Sequence, residues 1–143
     1  MKGGCMAHPG SNSFKHLVEK WAEAYNSHNA DAIAELYHDD AVNTQIPYPS
    51  PVQGREGIRA VYKKTFQAFP DIRLEVEKLL ENGDGAAIEW VFKGTMSGDF
   101  AGHPPTGRGF NMRGCEVFQF REGKIISQHG YWDKQTMFSQ LGI

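Results

Sequence analysis

The sequence predicts a single α+β domain in which three N-terminal helices pack against one face of a curved antiparallel sheet. Apolar residues recur at helical spacing in three segments of the first half, whereas the second half contains four long strand-like segments in succession. The length of 143 residues is that of one domain of ordinary size. A strongly twisted sheet covered in this way leaves a cavity between its concave face and the helices, which suits a small molecule.

The first helix is predicted to begin at Phe14, with Ser11 or Ser13 available as its N-cap. The apolar residues that share one face of this helix are Phe14, Leu17, Val18, Trp21 and Tyr25. Residues 1–13 carry no apolar stretch, so we expect a flexible leader rather than a signal peptide or a membrane span. The domain itself is therefore expected to occupy residues 14–143.

Two more helices are predicted in the first half. Residues 31–37 repeat the helical spacing over a shorter length, and His38-Asp39-Asp40 is expected to end that helix. Residues 54–69 show a third amphipathic pattern, which Pro70 ends. Between these helices, residues 41–46 alternate like a short strand and continue into a stiff proline-rich loop, because proline fits neither a helix interior nor a central strand.

The second half predicts an antiparallel meander followed by a short helix. The predicted strands are residues 72–80, 86–96, 110–120 and 125–131. Glycine-containing segments at 82–85 and 121–124 are typical of hairpin turns. Residues 133–141 are expected to close the chain as a helix, with Asp133 as its N-cap and Gly142 just beyond its end.

Composition and charge narrow the class of partner. The net charge of −2 arises from 15 basic and 17 acidic residues mixed along the chain, which argues against nucleic acid and anionic membranes. Cys5 and Cys115 have neither metal-site spacing nor the density of a disulfide scaffold, so we expect a cytoplasmic protein. The six histidines show no metal-binding pattern, and no metal site is expected.

Several short motifs occur in an order that resembles one family. They are Gly54-Arg55-Glu56-Gly57-Ile58, Phe69-Pro70-Asp71, Gly94-Thr95, Pro104-Pro105-Thr106-Gly107-Arg108, Gly123-Lys124-Ile125 and the ending from Asp133 to Gly142. Over residues 14–143 the chain resembles the SnoaL-like polyketide cyclases of the nuclear-transport-factor-two-like superfamily. The resemblance implies a cone-shaped, cystatin-like fold, a small-molecule pocket, no cofactor and a homodimer. Since this fold hosts several activities, the activity must be argued from the site.

Three polar side chains on the last strand are the predicted catalytic group. His129, Tyr131 and Asp133 have the same parity, so they point to one face if the strand stays regular. The resemblance implies that Asp133 is the general acid/base. From their shared face, we expect His129 and Tyr131 to be supporting acids or orienting groups. Burial in an apolar cavity would raise the pKa of such a carboxyl group toward a useful range. The alternative for Asp133 is a helix N-cap, and the two roles are compatible.

The predicted substrate-binding residues come from two regions. Asn43 and Gln45 share one face of the short strand, so both reach the cavity or both face water. Tyr48 lies in the proline-rich loop, which forms either a pocket rim or only a linker. Aromatic and apolar residues of the long strands are expected to line the cavity or to lie under the helices, and the candidates are Trp90, Phe92, Met112 and Phe118, with Phe110 and Phe120.

The predicted function is acid/base catalysis without a cofactor. The expected reaction is aldol cyclisation or isomerisation of a carbonyl compound such as a polyketide or a steroid-like ligand. The alternative is a non-catalytic ligand-binding or association domain. An epoxide hydrolase of this fold is less favoured, because Arg113-Gly114-Cys115 keeps the arginine of that enzyme's motif and lacks the acid two residues later.

Overall fold

The computed structural model describes the backbone of residues 9–143 and the side chains of residues 14–143. The helices are α1 (Pro9–Asn26), α2 (Ala30–Ala34), α3 (Arg55–Ala68) and α4 (Lys134–Leu141). The strands are β1 (Tyr37–Gln45), β2 (Val52–Gln53), β3 (Arg73–Asn82), β4 (Gly85–Thr95), β5 (Gly109–Arg121) and β6 (Lys124–Tyr131). None of these helices is long and apolar enough to cross a membrane.

One six-stranded sheet carries the fold, with strand order β2-β1-β6-β5-β4-β3. The four long strands pair consecutively and antiparallel, as predicted. β1 lies parallel to β6, so the sheet contains one parallel pair that the sequence pattern did not indicate. The sheet is open, because β2 and β3 form its two edges.

Helix α1 begins earlier than predicted. It starts at Pro9, and proline is favoured in a first helical turn because its missing N–H has no intrahelical partner there. Ser11 and Ser13 therefore lie within the helix, and their assignment as N-caps is wrong. The predicted leader overlaps this helix at residues 9–13. Its first part, residues 1–8, lies outside the described residues, so the prediction of a flexible leader stays untested there.

The start of β1 also differs from the prediction. α2 ends at Ala34, and Tyr37 already pairs with Ile125 of β6. A shift in register between Tyr37 and Val42 accommodates the polar segment that was expected to end a helix. Tyr37 is fully buried by this pairing, so tertiary packing overrides the helical spacing of its apolar neighbours.

The turn residues of the last hairpin and the cap residues of the last helix are those that the sequence predicted. Glu122 and Gly123 both have positive φ, as required at the two central residues of a tight hairpin turn. Asp133 caps α4 through a hydrogen bond from the backbone of Gln135. Gly142 has the left-handed conformation at the other end. The predicted closing helix is therefore confirmed.

The long strands present two distinct faces. On β5 the even-numbered residues turn toward the helices, and most are buried. The odd-numbered residues of β5 point to the opposite face, and most of them are exposed. Helices α1 and α3 pack on the first face. At one end of the sheet, Phe100 of the loop after β4 contacts Phe69 and Phe138, which closes that end of the core.

Candidate functional site

A cavity of about 160 Å³ lies between the concave face of the sheet and the helices. Most of its lining is aromatic or aliphatic, which is typical of a small-molecule site. The residues that line it are Trp21, Tyr25, Asn43, Gln45, Tyr48, Val61, Tyr62, Thr65, Phe69, Ile72, Trp90, Phe92, Phe100, Phe110, Met112, Glu116, Gln128, Trp132 and Met137. Among these residues Glu116 carries the only carboxyl group. The chemistry of the cavity therefore centres on Glu116.

Glu116 lies near the middle of β5 on the concave face and is only 3% exposed. Three side chains donate hydrogen bonds to its carboxylate. Oε1 accepts from Gln45 Nε2 at 2.9 Å and from Gln128 Nε2 at 2.8 Å, and Oε2 accepts from Trp90 Nε1 at 2.7 Å. Since Oε2 has one protein partner and Oε1 has two, Oε2 keeps more acceptor capacity for a ligand.

The amide of Gln45 is held in one orientation by its neighbours. Trp132 Nε1, which can only donate, donates to Gln45 Oε1 at 2.8 Å. The NH₂ group of Gln45 is then left to donate to Glu116 and to Asn43 Oδ1, the latter at 2.8 Å. The indole of Trp132 therefore orients this amide.

The amide of Gln128 is oriented in the same way from the other side. The hydroxyl of Tyr37 donates to Gln128 Oε1, which leaves the NH₂ group for Glu116. Tyr37 is in turn 2.5 Å from the hydroxyl of Tyr62. Trp21 Nε1 donates to both hydroxyls, at 3.2 Å and 3.1 Å. The buried polar groups of this network are thus paired with one another, as buried polar groups must be.

Burial controls the proton affinities in the cavity. It raises the pKa of Glu116, and the hydrogen bonds from Gln45, Gln128 and Trp90 offset part of that rise. Burial also raises the pKa of Tyr62 to about 12 and that of Tyr37 well above its ordinary value of 10.0. The tyrosines therefore stay neutral, whereas Glu116 is suited to exchange a proton closer to neutral pH.

Six of the seven predicted binding residues lie on the cavity. They are Asn43, Gln45, Tyr48, Trp90, Phe92 and Met112. Phe118 does not line it: its ring packs edge-on against Trp21 at 5.1 Å between centroids, underneath α1. Phe118 therefore takes the second of the two positions expected for these residues, under the helices, where the ring of Trp21 covers it. Roles in substrate binding remain predictions for the other six.

Asp133 lies outside the cavity. Its carboxylate is exposed and caps α4, accepting from the backbone of Gln135 at 3.2 Å and from the hydroxyl of Thr136 at 2.5 Å. The predicted N-cap role is confirmed, and the expected position in an apolar cavity is wrong. The physical reason is that β6 has ended at Tyr131, so strand alternation no longer sets the direction of Asp133. No finding tests its catalytic role, which stays a prediction.

His129 and Tyr131 point away from the cavity. His129 pairs with Val117 and Tyr131 with Cys115, and these odd-numbered residues of β5 and β6 share the outer face of the sheet. Tyr131 is 47% exposed there. The two side chains do share one face, but the expectation that this face lines the cavity is wrong. Their catalytic roles also stay untested.

The sequence analysis missed Glu116 and Gln128. A usable signal was present for Glu116, since it is the one acidic residue at the even positions of a strand whose other even residues are apolar or glycine. An isolated carboxyl group on an otherwise apolar face indicates a functional group. For Gln128 the signal is weaker, because an amide in a strand is common on either face.

Comparisons with known proteins agree on the fold. The chain matches the family model described as SnoaL-like polyketide cyclase over residues 15–141. It is 30% identical over 128 residues to the aklanonic acid methyl ester cyclase AcmA of Streptomyces galilaeus, which covers 87% of this chain and 88% of that protein. IdmH of Streptomyces antibioticus, a proposed polyketide cyclase of known structure, has 33% identity and a TM-score of 0.74, covering 95% and 100% of the two chains.

A more distant structure shows the same architecture. A protein with a ketosteroid isomerase-like fold from Catenulispora acidiphila, solved in complex with trimethylamine, has a TM-score of 0.78 at 22% identity. The match covers 89% of this chain and 92% of that one. The predicted fold class, a curved open sheet with helices on one face, is therefore confirmed.

Proposed function

The chain belongs to the SnoaL-like polyketide cyclase family, and we propose that it catalyses a cofactor-free aldol cyclisation or isomerisation of a polyketide-like carbonyl compound, with Glu116 as the general base. One observation carries this proposal: a buried carboxylate faces an apolar cavity and is surrounded by hydrogen-bond donors. The names of the relatives support cyclisation as the reaction class.

In the first step, Glu116 removes a proton from a carbon next to a carbonyl group of the substrate. Desolvation in the cavity strengthens the carboxylate as a base, because it disfavours the ionised form. The donors from Gln45, Gln128 and Trp90 keep the carboxylate in one position without neutralising it. Oε2, with one protein partner, is the oxygen that we expect to receive the proton.

The enolate formed in this step requires a hydrogen-bond donor. Asn43 fits this role, because its Oδ1 accepts from Gln45 and its Nδ2 has no protein partner among residues 14–143. Gln45 fits less well, since both hydrogens of its amide are already engaged. Asn43 lines the cavity and is buried, so its amide would act in a partly desolvated environment.

The final step returns the proton. In a cyclisation, the enolate carbon attacks a second carbonyl group of the same molecule, a C–C bond forms, and protonated Glu116 gives its proton to the new alkoxide. In an isomerisation, Glu116 returns the proton to a different carbon. Both reactions restore the carboxylate and conserve atoms and electrons, so neither requires a metal or an organic cofactor.

The test compares Glu116→Gln with Asp133→Asn, two isosteric changes of a carboxylate. Aklanonic acid methyl ester, the compound in the relatives' names, is the first probe, and exchange of its α-protons for deuterium is followed by NMR. We expect Glu116→Gln to lower the rate by about 10²–10⁴-fold and Asp133→Asn to leave it close to wild type. If Glu116→Gln exchanges the probe at the wild-type rate, or if only Asp133→Asn loses exchange, Glu116 is not the general base. Binding of the probe without exchange by the wild-type protein would favour the binding-only alternative.

We further propose that the protein is a cytoplasmic homodimer that pairs through the outer face of the sheet. Leu80, Ala87, Val117 and His129 form a row across four strands of this face. Leu80 is 59% exposed and Val117 41% exposed, so the row offers apolar surface. Sedimentation velocity tests the pairing: a monomeric wild-type protein, or a Val117→Glu variant that remains dimeric, contradicts it.

A further inference from the structure

Gly130 lies opposite Glu116 on the neighbouring strand. It occupies the concave face of β6, between the cavity residues Gln128 and Trp132. A methyl group at this position would collide with Gln45 Oε1 and lie 2.5 Å from Glu116 Oε1. The space that a side chain would take is therefore the space in which the Gln45 amide meets the Glu116 carboxylate.

The backbone does not explain this glycine. Positive φ angles occur at other glycines of the chain, and Gly130 is not among those of the described residues. Its conformation is that of an ordinary strand residue, which any amino acid can adopt. Glycine is required here because the Gln45 amide and the Glu116 carboxylate occupy the space that a side chain would need.

A second glycine shows the same arrangement. Gly114 pairs with Trp90 on the adjacent strand, and a methyl group at Gly114 would collide with the indole ring of Trp90. Two of the three donors to Glu116 thus lie over glycines of the sheet. The two sites differ in their surroundings, because a methyl group at Gly114 would also lie 2.8 Å from the backbone oxygen of Tyr131.

We infer that Gly130 is a positioning residue for the proton transfer: its missing side chain allows Gln45 to hold the Glu116 carboxylate. This inference rests on the proposed role of Glu116. Gly130 touches neither substrate nor reacting atoms in this scheme and acts through Gln45. Gly130→Ala perturbs this contact directly, because the atoms nearest to the added methyl group are the ends of the Gln45 and Glu116 side chains rather than backbone.

The titratable groups around Glu116 are few. Tyr25 on α1, Tyr37 on β1 and Tyr62 on α3 interact with it, and burial keeps all three neutral. The neighbouring thiol of Cys115 also interacts with it, and burial, followed by the charge of Glu116, raises the pKa of that thiol. Among residues 14–143, no lysine, arginine or histidine lines the cavity. The hydrogen bond from Gln45 lowers the pKa of Glu116, so its loss should raise that pKa further.

The experiment follows the titration of the Glu116 carboxyl carbon by ¹³C NMR in protein labelled at glutamate, with the signal assigned by its absence in Glu116→Gln. We expect Gly130→Ala and Gln45→Ala to shift the midpoint upward together, and to lower the exchange rate of the probe about tenfold through loss of one hydrogen bond. Gly109→Ala on β5 is the matched control, since a methyl group there makes only ordinary contact, at 3.4 Å. Gly109→Ala should leave the titration midpoint of Glu116 and the exchange rate of the probe unchanged.

The outcomes separate this inference from the proposed function. A Gly130→Ala protein that is folded by circular dichroism and titrates like wild type, or with a lowered midpoint, overturns the role of Gly130. Full activity in Glu116→Gln instead overturns the proposed base, whatever Gly130→Ala does. If Gly130→Ala is misfolded, the titration of Gln45→Ala tests the inference instead. An unchanged midpoint of Glu116 in that variant would show that Gln45 does not hold the carboxylate, which overturns the role inferred for Gly130.

Discussion

The environments of Glu116 and Asp133 show how one chemical group takes two roles. Glu116 receives its hydrogen bonds from side chains on β1, β4 and β6, which lie far apart along the chain. Asp133 receives its hydrogen bonds from Gln135 and Thr136, within the first turn of its own helix. One carboxylate is held by tertiary structure in a cavity, and the other is held locally at the surface. The role follows from what surrounds the group.

The largest contrast between the two regions is expected in the effect of pH on stability. Because burial raises the pKa of folded Glu116 above its ordinary value of 4.5, the folded state binds more protons than the unfolded state just above that value. The stabilisation is complete below pH 4.5 and is lost as pH rises through the folded pKa. Urea unfolding at several pH values should show this decline in the wild-type protein relative to Glu116→Gln. Parallel curves for the two proteins would contradict the buried state of the carboxyl group.

A smaller effect is expected from removing one donor of the cavity network. Gln128→Leu removes one acceptor of the Tyr37 hydroxyl, which can still donate to Tyr62, and takes one donor from Glu116. We expect a loss of about 1–3 kcal/mol in the free energy of unfolding, the range for a buried polar group that loses a hydrogen-bond partner. Ser127→Ala, on the outer face of the same strand, is the control and should change stability by less than about 0.5 kcal/mol. A Gln128→Leu protein as stable as the wild type would show that this part of the network adds nothing to stability.

The smallest effect is expected at the β6–α4 junction. Asp133→Ala removes the cap of α4 and should cost about 1 kcal/mol of unfolding free energy, without changing the exchange rate of the probe. Asp133→Asn should cost less, because asparagine also caps helices. Thermal unfolding of the two variants measures the difference. An Asp133→Ala protein that is fully stable but inactive would contradict this prediction and support a catalytic role for Asp133.

The fold was predictable because its signals are local. Helical spacing around Trp21 and the glycine-containing turns identified most elements and their order. The errors occur where pairing between residues far apart in the sequence determines the secondary structure. Tyr37 has helical neighbours in sequence, yet its contact with Ile125 makes it a strand residue.

The candidate site was harder to predict, for a related reason. Strand parity correctly grouped His129 with Tyr131, but parity does not say which face the helices cover. Three polar residues on one face are also what a solvent-facing surface looks like. Glu116, a single polar residue among apolar ones, carried the better signal, because a carboxyl group is rarely buried without a function.

The parallel pairing of β1 with β6 has a consequence for how the protein folds. The Tyr37–Gln128 hydrogen bond spans 91 residues, Trp132–Gln45 spans 87, and Gln45–Glu116 spans 71. Contacts of such separation close large loops and raise the entropic barrier to folding. During synthesis β1 leaves the ribosome early, but it cannot pair with β6 until nearly the whole chain has emerged. The cavity is therefore incomplete until β6 has paired with β1, and a chain that stops after β5 cannot assemble it, because Gln128 and Trp132 line it.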